Sequence, residues 1–288
     1  MVNRGTIAWV CGLGALLVGC NQLPSMAAGA LLHPYRRPVS ARPPTGCDEV
    51  TFDGAGVKLS GWRCTPGGES RGNLVLLHGI ADNRASISGV IGRFRARGLT
   101  IVAYDSRAHG NSGGDVCSYG FFEKQDLGRV IDSLAPGPTV LLGTSLGAAV
   151  ALQEAADDPR VAGVVAAEVF SDLRTVARER APFVLSDGLI KRAFAIAEER
   201  GGFSIDAVDV TASARKMTRP VLLVHGADDS DTSPDHSRRV YDALTGPKQL
   251  ILVPGAGHNE SLKKGETWDR IERWIEDLVA GPKPQLPN

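Results

Sequence analysis

Long apolar runs, a surplus of either charge, and the short motifs that hold metals or phosphates are all missing from this chain. The apolar stretch near the N-terminus, Ile7 to Val18, is about twelve residues, too few to span a bilayer. Lysine plus arginine and aspartate plus glutamate balance at 32 each, for a net charge of zero. That removes the basic footprint of a nucleic-acid binder, and no nucleic-acid partner is expected. There is no H-E-x-x-H, no C-x-x-C and no glycine-rich phosphate loop with its lysine. The expectation is therefore chemistry without metal or cofactor. What is present, 288 residues with 43% apolar and 22% charged, suits one globular α/β domain with a sizeable core and a tail.

The N-terminus reads as a secretion signal: Arg4 supplies a short positive region ahead of the apolar stretch. Its end, Leu17-Val18-Gly19-Cys20, resembles the lipobox of bacterial lipoproteins. The resemblance implies a signal peptide over residues 1–19, lipid on the Cys20 thiol, and anchorage to the cell envelope. Asn21 in place of an aspartate resembles the outer-membrane sorting pattern where two membranes exist. Cleavage at Ala28-Gly29-Ala30, or an uncleaved anchor, are the alternatives. Residues 20–45 read as a tether, with Pro24, Pro34, Pro38, Pro43 and Pro44 interrupting helices and Arg36, Arg37 and Arg42 keeping it solvated.

Of five cysteines, Cys11 leaves with the signal and Cys20 takes lipid, so Cys47, Cys64 and Cys117 remain. Val50 and Phe52, then Val57 and Leu59, read as a hairpin turning at Asp53-Gly54-Ala55-Gly56. A turn centred on Gly54-Ala55 pairs residues whose numbers sum to 109, and one on Ala55-Gly56 pairs those summing to 111. Either register puts Cys47 and Cys64 on one face, where a disulfide fits, two independent thiols being the alternative.

From Asn73 onward, short apolar runs alternate with amphipathic segments. Strands are expected near Leu74 to Leu77, Leu99 to Tyr104, Thr139 to Leu142, Val161 to Ala166, Pro220 to Val224 and Gln249 to Val253. Helices are expected near Ser86 to Arg97, Phe121 to Leu134, Leu146 to Ala156, Ser233 to Leu244 and Glu266 to Val279. The pattern implies an α/β fold, a mostly parallel central sheet with helices on both faces. Ligands bind such sheets at the carboxyl ends of the strands.

The chemistry centres on Gly143-Thr144-Ser145-Leu146-Gly147, a G-x-S-x-G between an apolar strand and a helix. The glycines let strand and helix approach a turn that pushes the Ser145 hydroxyl outward. A serine needs an imidazole to take its proton. Among six histidines, His258 is the candidate, on a flexible approach after the last strand. His33 lies in the tether. His78, His109 and His225 precede glycines in loops with other uses, and His236 sits inside a helix start that opposes an imidazolium. The loop after Val221 to Val224 offers Asp228, Asp229 and Asp231 as the orienting acid. The Leu146 N–H should serve the developing oxyanion.

At this point the chain resembles the α/β-hydrolase family, specifically its small secreted and membrane-associated serine hydrolases of esterase and serine-aminopeptidase type. His225-Gly226-Ala227-Asp228-Asp229 is similar to the family's H-G-x-x-D signature, which implies Asp229 as the acid. The proline arrives late, at Pro234, which keeps Asp231 open. His78-Gly79-Ile80 resembles the oxyanion loop and implies the Ile80 N–H as second donor, His78 being structural. The stretch from Asp105 to Gly113 is similar to D-x-R-G-x-G-x-S, with Ala108 where glycine is usual, and Tyr119 to Glu123 opens the next helix in the family manner. The resemblance implies an α/β-hydrolase domain over residues 46–282 with a short helical cap at about 170–217, where Phe183, Leu189 and Phe194 would line an acyl pocket or form the apolar face that docks the cap helices onto the body. Residues 283–288 read as a C-terminal tail. The implied activity is cleavage of a small carboxylic ester or thioester through an acyl-enzyme on Ser145. The alternatives are a serine peptidase, for which Glu168 is the acid that would receive a peptide amine, and a non-catalytic tethered binding lipoprotein.

Overall fold

The six apolar runs are all strands, because segments buried on both faces satisfy their backbone groups most simply inside a covered sheet. The computed structural model describes residues 22–182 and 185–281. The signal peptide, Cys20, Phe183 and the tail lie outside those residues. Its strands are β1 (Cys47–Asp53), β2 (Lys58–Cys64), β3 (Asn73–Leu77), β4 (Thr100–Tyr104), β5 (Thr139–Thr144), β6 (Val161–Ala167), β7 (Val221–Gly226) and β8 (Lys248–Val253). They form one sheet in the order β1-β2-β4-β3-β5-β6-β7-β8. Both pairings of β2 are antiparallel and all others parallel. The chain reverses its winding on either side of β3, which leaves the crevice beyond the carboxyl ends of β3 and β5 for a ligand.

The β1–β2 hairpin takes the register in which paired numbers sum to 111: Cys47 faces Cys64, and the two are joined as a disulfide. Cys117 is a buried free thiol.

Helices cover both faces. After α1 (residues 22–32) come α2 (Ile91–Ala96), α3 (Glu123–Asp132), α4 (Leu146–Ala155), α5 (Leu173–Glu179), α6 (Asp187–Gly201), α7 (Val210–Ala214), α8 (Pro234–Ala243) and α9 (Gly265–Ala280). One apolar core lies between the sheet and α3, α4 and α8; the other is built by α2 and α9. α8 starts as its sequence dictates, with Ser233 capping and Pro234 at the first helical position, where the missing N–H costs nothing. α2 is shorter than expected. Ser88–Val90 forms a 3-10 turn first, because Gly89 and Gly92 weaken the helix start.

The stretch read as an unstructured tether is the main departure. Residues 22–32 are helical, with Ala28 and Leu32 fully buried in the same core as α3 and α4. Pro24 lies within the described helix, and Pro34 follows its end. The remainder is tied down as well. Arg36 donates to the carbonyls of Ser112 and Gly114, Val39 exchanges two hydrogen bonds with the Asn111 side chain, and Arg37 pairs with Asp82 at 3.7 Å. These arginines are therefore contacts to the domain rather than plain solvation. Among the described residues no helix is long and apolar enough to cross a membrane.

Candidate active site

β5 ends in a bend that only its sequence permits. Ser145 adopts φ 49° and ψ −110°, a strained conformation that turns strand directly into α4. A Cβ on Gly143 would lie 2.3 Å from the Gly147 carbonyl carbon, and one on Gly147 would lie 2.4 Å from the Leu77 oxygen. Both glycines are required by close approach, and the strain is held by Ser145 N–H donating to Ala167 O at 2.8 Å.

The acid and imidazole follow β7 and β8. His258 donates Nδ1–H to Asp229 Oδ2 at 2.7 Å, which turns Nε2 away from the acid. Asp229 Oδ1 accepts from the backbone N–H groups of Asp231 and Thr232, both at 2.9 Å, and His225 Nε2 lies 3.2 Å from Oδ2. Burial works to raise the Asp229 carboxyl. The hydrogen bonds from His225, His258 and Thr232 outweigh it and hold the group well below the usual carboxylate range. Asp231 is exposed and contributes its backbone, not its carboxylate, to this arrangement.

Ser145 opens into a cavity of about 570 Å³ that Ile80 and Leu146 also line. Leu146 is the first residue of α4, so its N–H belongs to those a helix leaves without an intrahelical acceptor. The loop carrying Ile80 sits directly on the serine: a Cβ on Gly79 would lie 3.7 Å from Ser145 Cβ. Among the described residues the hydrogen bond from Ser145 Oγ to His258 is not made. Instead Arg180, just past α5, places Nη2 at 3.4 Å from His258 Nε2 while bonding Asp231 O and Thr232 Oγ1. In the sequence Arg180 is one of several arginines of the cap stretch. Its spacing to the acid loop is visible only in three dimensions.

The other candidates have structural roles. His78 donates Nδ1–H to Gly79 O at 2.7 Å and accepts from Ser106 N–H at 3.0 Å, joining the Ile80 loop to the Asp105 loop. His225 is buried against Ser237 and Thr232 O, and buried His236 joins Glu179 of the cap to Ser171. Ala108 has φ 59°, which explains why glycine is usual at that place. Phe194 lines the cavity and Leu189 does not; Leu185, Ile190 and Ala193 do. Glu168 is fully buried, accepts from Ser261 Oγ, and lines a second cavity instead of the one at Ser145. Burial raises its carboxyl above the ordinary range.

His78 makes a pH prediction. Burial and the neighbouring His109 push its pKa down from 6.5 to about 4, and burial lowers that of His109 as well. A base depressed in the folded state binds fewer protons there than when unfolded, so its stabilisation is intact above pH 6.5 and lost as pH falls towards 4. The expected loss is on the order of 3 kcal/mol. Urea unfolding at pH 7, 5.5 and 4.5 checks it, and His78→Gln should flatten the decline.

With this fold and site established, the class is clear: residues 74–263 match the alpha/beta hydrolase family, and the chain belongs to it. Among its relatives, the uncharacterized protein YqkD of Bacillus subtilis is 30% identical over 219 residues, 73% of this chain and 72% of its own length. Among solved structures, the esterase Pf2001 of Pyrococcus furiosus is similar with a TM-score of 0.69 at 23% identity, covering 85% of this chain and 98% of its own. An acylaminoacyl peptidase of Pyrococcus horikoshii is similar at a TM-score of 0.67 and 15% identity, covering 84% of this chain and 43% of its own. Likeness at these identities shares the fold.

Proposed function

We propose that this hydrolase cleaves carboxylic ester or thioester bonds through an acyl-enzyme on Ser145. The observation that carries this reading is the Asp229–His258 pair, at 2.7 Å and at the same sheet edge as the strained serine, which faces an apolar cavity. In the proposed cycle His258 Nε2 exchanges Arg180 for Ser145 Oγ and takes its proton. The alkoxide attacks the carbonyl carbon, and the N–H groups of Ile80 and Leu146 hold the oxyanion. The proton passes to the leaving alcohol or thiol, and water, activated by the same imidazole, releases the acid. Glu168 is fully buried against Ser261 and is not among the residues lining the Ser145 cavity, so it offers no open face to a peptide amine, which favours esters over peptides.

Export and anchorage to the cell envelope through lipid on Cys20 belong to the same proposal and rest on Leu17 to Cys20 in the sequence. One labelling experiment tests both parts. Cells fed labelled palmitate and lysed into a fluorophosphonate probe should yield a doubly labelled protein. Ser145→Ala should lose only the probe and Cys20→Ala only the palmitate. Probe retained by Ser145→Ala, or palmitate retained by Cys20→Ala, defeats the corresponding half.

A further inference from the structure

The cavity beside Ser145 is not closed by the cap alone. α5 and α6 supply Leu173, Val176, Ile190 and Phe194, while the opposite wall comes from α1 through Met26, Ala27 and Leu31. α1 is fixed there by three bonds to two distant parts of the chain. Tyr119 Oη donates to Leu31 O at 3.0 Å, Cys117 N–H donates to Leu32 O at 2.9 Å, and Arg200 Nη2 donates to Ser25 Oγ at 2.8 Å. The helix is thus strapped across the gap between the Asp105–Cys117 loop and the end of α6.

We propose that α1 is a wall of the substrate site, and that the substrate is an amphiphile with an acyl chain of medium to long length, lying from Ser145 between α1 and the cap. This rests on the acyl-enzyme reading above and names its substrate class. The lining decides the chemistry. Apart from Ser145 and Arg180 at the reacting end, the polar side chain facing the space is Tyr119, whose hydroxyl is committed to Leu31 O. A peptide or sugar placed there would leave its polar groups without partners, whereas hydrocarbon loses nothing. The volume, about 570 Å³, lies in the range that encloses a drug-sized ligand and far exceeds the need of an acetyl group. The opening is apolar too. Leu23 and Met26 of α1 line the cavity yet are 38% and 66% exposed, so the chain enters past them.

The test is a graded series, Ala27→Val, Ala27→Leu and Ala27→Trp, assayed on p-nitrophenyl acetate and decanoate. The wild-type protein should prefer decanoate, by up to about fourfold in kcat/KM for each methylene accommodated, the equivalent of ~0.8 kcal/mol. The decanoate-to-acetate ratio should fall stepwise along the series, by about thirtyfold or more for Ala27→Trp. A ratio within about threefold of wild type across all three variants overturns the proposal. Should the tryptophan variant fail to fold, the valine and leucine variants carry the same comparison. Binding supplies a readout independent of turnover: dansylaminoundecanoate should bind Ser145→Ala, and at least about tenfold more weakly once Ala27→Trp is added. Loss of binding with ester turnover indifferent to Ser145 sinks the acyl-enzyme and spares the wall. Ser145-dependent turnover with an unchanged ratio and unchanged binding does the reverse.

Discussion

Ser145→Ala should lower kcat on p-nitrophenyl butyrate by about 10⁴ to 10⁶, and His258→Ala by a similar factor, with the double variant little worse than either single one. The non-additivity is the informative part. Alcohol and imidazole act as a unit, so once either is gone the other has no proton to move. KM should change much less, since most of the cavity lining comes from Ile80, the cap and α1, with Ser145 a small part of it. Steady-state kinetics with all three variants checks this. Near-normal turnover in either single variant would remove the assignment, and multiplicative losses would mean that the two residues act independently.

Asp229→Asn should cost about 10³ to 10⁴ in kcat, whereas Asp231→Asn should stay within a few-fold of wild type. Asp229 accepts Nδ1–H from His258, which turns Nε2 away from the acid, as the proposed base requires. An amide there presents its own N–H to one of its present donors and favours the wrong tautomer. Asp231 reaches the same loop only through its backbone, which asparagine preserves. Paired kcat measurements on the two variants separate the aspartates. Equal losses, or a larger loss at Asp231, would return the acid role to the residue that the late Pro234 had kept open.

The parts of this protein legible in its sequence are those governed by local rules. Strand and helix alternation, the Ser233-Pro234 helix start and the pairing of Cys47 with Cys64 each depend on residues within a short span, and each has its sequence position in the structure. The bend at Ser145 was legible for the same reason, since both steric demands on Gly143 and Gly147 follow from a strand running into a helix. Helix α1 was not. Five prolines between residues 24 and 44 dominate any composition reading of that stretch. What makes it fold is burial of Ala28 and Leu32 against elements nearly a hundred or more residues away. A signal existed: Pro24 with no second proline before Pro34, and an Ala28–Leu32 pair at helical spacing. Arg180 escaped for a related reason, because a cap arginine gains its meaning only when α5 docks beside the Asp231–Thr232 turn.

The hold of α1 on the domain bears on how the protein should be handled. Someone seeking an easily purified version would trim the leader back to the first strand, where the recognised hydrolase fold begins. That truncation strips Leu32 from the core and Met26, Ala27 and Leu31 from the cavity lining. Substrate screens run on such a shortened protein would then describe a half-open trough, and their weak discrimination would be an artefact of where the gene was cut.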